Sequence, residues 1–190
     1  MVISLDQGTY VDGYRTRRNG KSLVGERYFS LGGISPYDQL EWTKSDVPIT
    51  DDEGKLLFTQ HDVEFPKNWT GLARKVVASR YFYGEKNTQQ REHSARQLIG
   101  RVTETFGKWA LKQDYAKTQE EADVFRDELA YLALNQVFAW NSPVWFNVGI
   151  DRYENFPEDE QRDGYIANNG DPIKRPLGMN NEYPQTSACF

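Results

Sequence analysis

The residues able to do chemistry are few and far apart. There is one cysteine, Cys189, in Pro184-Gln-Thr-Ser-Ala-Cys-Phe190, and there are two histidines, His61 and His93. A thiol that gives up electrons normally ends as a disulfide, so it needs a partner thiol, and the sequence holds none. On spacing alone Cys189 reads as a small buried hydrophobe. A second candidate is Ser142 in Asn141-Ser-Pro-Val-Trp-Phe-Asn-Val-Gly149. Pro143 is expected to hold Ser142 extended and to stop the preceding helix, which would set a hydroxyl and nearby amides at a sharp junction. Such a junction offers donors to a phosphate or hydroxyl ligand; the plainer reading is a helix stop followed by core residues Val144, Trp145 and Phe146. His93, flanked by charges, reads as a solvated helix face, and His61 as a strand residue beside a turn. No glycine cradle of the G-x-x-x-x-G-K-[ST] or G-x-G-x-x-G kind is present. With one cysteine, neither an internal disulfide framework nor a C-x-x-C zinc site is available, and no metal site is expected.

Composition narrows the class. The 190 residues carry 23 basic and 28 acidic side chains, a formal charge of −5. Without a Lys/Arg stripe a nucleic-acid partner is not expected. Mean hydropathy is −0.77, and no apolar run approaches the ~18 residues that would cross a bilayer, so no membrane partner is expected. The N-terminus lacks a basic segment followed by an apolar one, and a cytoplasmic location follows as the default. Aromatic residues reach 14 %, enough large rings for a modest core.

These residues must be positioned by elements that the patterning outlines. Residues 1–22 show no sustained period and are expected to form an extended arm, part of a loop-rich start over 1–54. The short apolar pieces from Lys21 to about Phe65 read as loop-rich with short strands. Asp51 to Gly54 between apolar runs is a turn signal. From Trp69 onward the period becomes helical. A first helix is expected over about 70–83, capped by Thr70 and ended at Gly84. A second is entered near Asn87-Thr88, with Leu98, Ile99, Val102, Phe106 and Trp109 on one face. A third follows the capping box Thr118-Gln-Glu-Glu121 and runs to about Trp140. The second and third should pack as an antiparallel hairpin. The span from Asp151 to Gly178 reads as a long excursion.

The terminal motifs also carry a family likeness. Asn141-Ser-Pro-Val-Trp-Phe-Asn-Val-Gly149, followed after an insert by Pro184-Gln-Thr-Ser-Ala-Cys-Phe190, resembles the start of the catalytic barrel in adenosylcobalamin-dependent (class II) ribonucleotide reductases. Upstream, Asp62-Val-Glu-Phe-Pro-Lys-Asn-Trp69, Val77-Ala-Ser-Arg-Tyr-Phe82 and Ser94-Ala-Arg-Gln-Leu-Ile-Gly-Arg-Val102 resemble that family's N-terminal helical region. The likeness runs from about residue 55 to the end.

The resemblance implies a mainly α N-terminal region, a helical hairpin after a loop-rich start, leading into the first strands of a truncated α/β ten-stranded barrel. The divisions would be an arm over 1–54, a helical domain over 55–140 and the barrel start over 141–190. It implies that Cys189 is one of two redox-active thiols reducing the ribose, and that Ser142, Ala188 and Cys189 line the substrate pocket, Ala188 through backbone and shape. It further implies a ribonucleoside di- or triphosphate substrate, a thioredoxin-type reductant, and adenosylcobalamin bound by parts of the enzyme absent from this chain. The thiyl-bearing cysteine, the partner thiol and the phosphate-binding segment have no counterpart here, so an N-terminal fragment, inactive without the remainder of the reductase polypeptide, is expected. Two alternatives stay open: a non-catalytic helical protein-interaction domain with Cys189 as packing, and a related reductase with another radical source.

Overall fold

The computed structural model describes residues 24, 26–51, 53–86 and 88–152, together with the backbone of four short strands outside that range. In chain order the elements are β1 (Tyr10–Val11), β2 (Tyr14–Arg15), β3 (Trp42–Thr50), β4 (Leu56–Pro66), α1 (Gly71–Val76), a π turn (Val77–Tyr81), α2 (Ala95–Lys112), α3 (Gln119–Leu134), α4 (Ser142–Asn147), β5 (Gly164–Asn168) and β6 (Asp171–Arg175). The strands pair as three antiparallel hairpins, β1 with β2, β3 with β4 and β5 with β6.

The longest of these, β3–β4, overturns the expected fold class. The protein is a small mixed α/β unit and not mainly α. Residues 42–66, within a segment read as loop-rich with short strands, form two long strands whose two-residue period is hidden for identifiable reasons. β3 carries Pro48, which a two-stranded sheet tolerates because an edge strand need not donate at every position. The register shifts between Ser45↔Val63 and Val47↔Gln60, so His61 and Asp62 oppose the single residue Asp46. That bulge resets the alternation. Val63 and Phe65 are buried on one side of it, Phe58 packs on the core from the other, and His61 and Asp62 both face solvent. The turn expected at Asp51 to Gly54 does close the hairpin. The Asp51 carboxylate accepts from the amides of Glu53 and Lys55 at 3.0 and 2.8 Å, and Gly54 takes φ +85°, a conformation that a side chain disfavours.

The helical hairpin is present with different ends. Thr118 and Glu121 form the expected capping box of α3. α2 begins at a second capping box, Ser94 with Gln97, later than expected. α3 stops at Leu134 through a Schellman closure, with Gln136 at φ +56° and the Val137 amide on the Leu132 carbonyl at 2.9 Å. Glycine usually marks this motif, and its absence hid the stop. Residues 113–118 turn the chain so that α3 runs back along α2, with Gly107 against Ala122 and Arg126. One core cluster joins Val47, Ile49, Val63 and Phe65 of the sheet with Leu98, Ile99 and Val102 of α2, Leu134 of α3, and Val144, Trp145 and Val148. Fully burying each such aliphatic stabilises the fold by about 1.5–3 kcal/mol. Trp69 ties the sheet's end to α3 by donating its indole N–H to the Leu134 carbonyl at 2.7 Å. Residues 27–30 are held on α3 by Glu128, whose carboxylate accepts from the amides of Tyr28, Phe29 and Ser30.

Candidate functional site

Ser142 stands at the start of a helix. The extended residue is Asn141, at φ −66° and ψ 161°, which caps α4. Pro143 begins α4 and does not end α3, as proline in a first turn leaves no intrahelical donor unsatisfied. The expected extended geometry of Ser142 is therefore corrected: the junction is a helix start, and α4 occupies the place where a barrel strand was expected.

The Ser142 hydroxyl lies 3.3 Å from the Tyr81 hydroxyl. Tyr81 closes the π turn that follows α1, and π turns interrupt helices at functional positions often enough to mark such a place. Its ring rests on Phe146 and Trp145, with centroids 5.5 and 6.1 Å away. Trp145 in turn meets Trp140 edge-on at 5.0 Å, and Trp140 stacks with Phe106 of α2 at 5.7 Å. Ser142 and Tyr81 thus offer two adjacent hydroxyls, held by rings, that can donate to and accept from a ligand's hydroxyl or phosphate oxygens.

A buried ion pair holds this junction together. Arg101 of α2 and Glu92 are both 0 % exposed, with Nε 2.8 Å from Oε1. The guanidinium spends its other donors on backbone carbonyls: Val148 at 2.8 Å, Trp145 at 2.6 Å and Tyr81 at 3.3 Å. Glu92 accepts from the Tyr83 amide at 2.9 Å. A planar fork of five donors suits this work, since one side chain satisfies the ends of α4 and of the π turn together. The backbone of Arg101 contributes as well. Gly149, at φ +73°, passes so close that an added Cβ would collide with the Arg101 carbonyl oxygen and sit 2.7 Å from Thr105 Oγ1. Side chain and main chain of one residue therefore locate the C-terminal end of the segment carrying Ser142.

The sequence reading missed Arg101, Glu92 and Tyr81. One signal was available: Arg101 falls inside the apolar stripe of α2, between Ile99 and Val102, where a solvated charge has no place. Arg91 and Glu92, read as part of a solvated helix face, precede α2 and are buried. His93 does remain exposed, and with His61 it lines a cleft beside β4. Cys189 and Ala188 lie outside the described residues. No cluster of three or more His, Cys, Asp or Glu among the described residues could hold a metal ion, and the cleft beside β4 measures about 390 Å³. No helix among the described residues is long and apolar enough to cross a membrane.

Comparison with known proteins defines the class to which this arrangement belongs. Residues 43–136, from the first turns of β3 through the Schellman closure, match the family described as class II vitamin B12-dependent ribonucleotide reductase. The match starts within the stretch expected to be an arm. The chain belongs to this family. It is 41 % identical over 192 residues to the vitamin B12-dependent ribonucleotide reductase of Rhodopirellula baltica, covering 93 % of this chain and 18 % of that protein. It is 45 % identical over 130 residues to the Streptomyces avermitilis enzyme of the same name, covering 68 % of this chain and 14 % of that protein. The Agrobacterium fabrum enzyme of that name is 28 % identical over 201 residues, covering 87 % of this chain and 16 % of that protein. The chain thus spans less than a fifth of each of these relatives, in their N-terminal part.

Proposed function

We propose that this chain is the N-terminal region of a vitamin B12-dependent ribonucleotide reductase and supplies part of its substrate pocket and one of its reducing thiols. The observation that carries this reading is the alignment of 93 % of the chain with a relative of that name. In the proposed reaction the ribose C2′–O bond breaks and the hydroxyl leaves as water. Cys189 and a second thiol each give up a hydrogen and join as a disulfide, so two electrons pass to the sugar. One cysteine in 190 residues means that the second thiol comes from other polypeptide. A thioredoxin-type dithiol would reopen the disulfide. Cobalamin, in its adenosyl form, would supply the initiating radical from a site formed by the remainder of the enzyme, and the location is cytoplasmic.

Ser142 would contact the substrate, with Ala188 and Cys189 lining the same pocket. The geometry supports a binding role for Ser142, because its hydroxyl meets that of Tyr81 and the Arg101 fork ties the Tyr81 backbone to the C-terminal end of α4. Phe146 and Val137, both exposed large hydrophobics, fit a surface that the rest of the polypeptide covers.

The test is the reductase that contains this chain, assayed for ribonucleotide reduction with adenosylcobalamin and a dithiol reductant. Cys189→Ser is expected to abolish turnover, and Ser142→Ala to raise the substrate KM about tenfold through one lost hydrogen bond to a charged ligand. Full turnover in the Cys189→Ser variant removes the reducing role. An assembled protein that reduces no ribonucleotide removes the whole reading and leaves a helical interaction domain.

A further inference from the structure

The cleft beside β4 has a composition unlike the rest of the molecule. It measures about 390 Å³, within the range of small-molecule sites, and is lined by Phe58, Thr59, Gln60, His61, Thr88, Gln89, Arg91 and His93. The chain has 28 carboxylate side chains and a charge of −5, yet none of these lining residues is acidic. Two carboxylates close to the lining residues are engaged, one next to Arg91 in the sequence and one against the His61 ring. Glu92 is bound to Arg101, and Asp46 accepts from His61 Nδ1 at 2.8 Å and from the Asp62 amide at 3.2 Å. Cations gather instead. The Arg91 guanidinium and the Lys86 ammonium lie 5.9 and 5.6 Å from the Phe58 ring centroid.

The backbone is shaped to present this face. Asp62 holds φ +52°, a strained conformation for a residue with a side chain, at the bulge where two residues face one. Asp46 clamps both of those residues. With Nδ1 bound to Asp46, His61 turns its Nε2 edge away from the clamp. Arg91 is fixed by Gln60, Gly84 and Ala78 through three of its five N–H groups, so its charge is placed without being neutralised by a hydrogen-bonded carboxylate.

We propose that this cleft binds a small phosphate-bearing molecule, with the phosphate held by His61 and His93 in the field of Arg91 and Lys86, and an attached ring or chain lying along Phe58. Donors and cations on a wall whose lining residues carry no carboxylate suit an anion, the Asp46 carboxylate being engaged by His61 Nδ1 and the Asp62 amide. This site rests on neither Ser142 nor Cys189.

Titration of the full chain with inorganic phosphate, followed by the imidazole NMR resonances of His61 and His93, tests it. Chloride at matched ionic strength is the control for screening. A saturable shift of both imidazoles is expected. His61→Gln and His93→Gln, both on exposed side chains, should each weaken binding about tenfold, the loss of one hydrogen bond to a charged group. Phenyl phosphate should bind more tightly than phosphate if the attached group meets Phe58, and Phe58→Ala should erase that difference only. No saturable shift, a shift reproduced by chloride, or unchanged affinity in both histidine variants would overturn the proposal. Tighter phosphate with no gain for phenyl phosphate would overturn the assignment of Phe58.

Discussion

Two arginines flank the π turn, and both donate to its carbonyls, Arg101 to Tyr81 and Arg91 to Ala78. Arg101 is wholly buried, faces a carboxylate at 2.8 Å and reaches Trp145 and Val148 beyond it. Arg91 hydrogen-bonds to an amide side chain and to carbonyls, and one side of it opens on the cleft. Burial holds its pKa below the ordinary guanidinium value, with the neighbouring charge of Glu92 acting the other way. The same residue type therefore does two jobs. Paired inside, it is a tie that fixes where Ser142 stands. Buried behind a cleft whose lining residues carry no carboxylate, and bonded to neutral groups, it leaves a positive field for a ligand. The partner decides the role, because a paired charge has no field left to offer.

The largest predicted effect separates the two. Arg101→Met removes the charge that faces buried Glu92 and orphans three carbonyls, and should cost about 3–5 kcal/mol in urea unfolding. Arg91→Met loses hydrogen bonds to neutral groups only and should cost about 1–3 kcal/mol. Equal losses would erase the distinction. Adding Glu92→Gln to Arg101→Met should recover part of the loss, since a buried charge is then removed with its partner.

Glycines at the two places come next. Gly149→Ala and Gly84→Ala both place a Cβ at positive φ, +73° and +100°, and each should cost about 1–3 kcal/mol from backbone strain. Their consequences should differ. At Gly84 the new Cβ would lie 2.7 Å from the Arg91 Cα, so its imprint should be found in the His61 and His93 resonances. At Gly149 it should be found in the fluorescence of Trp145 and Trp140. An identical pattern of shifts from both would join what the arginines divide.

The smallest effect is a pH dependence confined to the cleft. The hydrogen bond from His61, and then that from the Asp62 amide, hold the Asp46 carboxyl below its ordinary value of 3.8. A lowered carboxyl pKa contributes stability above the unfolded value and loses it as pH falls through the folded one. The Asp46 clamp should therefore open only as pH drops below about 3.8, seen as faster exchange of the Asp62 amide, and Asp46→Asn should abolish that dependence. Its exposed position keeps the effect on global stability small.

What the sequence determined by itself was local. Thr70 and Thr118 caps, the turn at Asp51 to Gly54 and the apolar faces of α2 and α3 follow from interactions within a few residues, which neighbours along the chain are enough to specify. The motifs at Asn141 to Gly149 and at Ser94 to Val102 identified the family for the same reason, being contiguous. Tertiary structure decided the rest. The length and pairing of β3 and β4 were not legible, because a bulge and Pro48 break the period and only pairing with a partner strand restores it. α4 replaced an expected strand because Pro143 fits a helix's first turn as well as it ends another, and the Asn141 cap and Arg101 fork favour the start. Arg101 with Glu92, Tyr81 with Ser142, and Asp46 with His61 lie 9, 61 and 15 residues apart. Such pairs have energies set by burial and distance, which come into being only when the chain has folded.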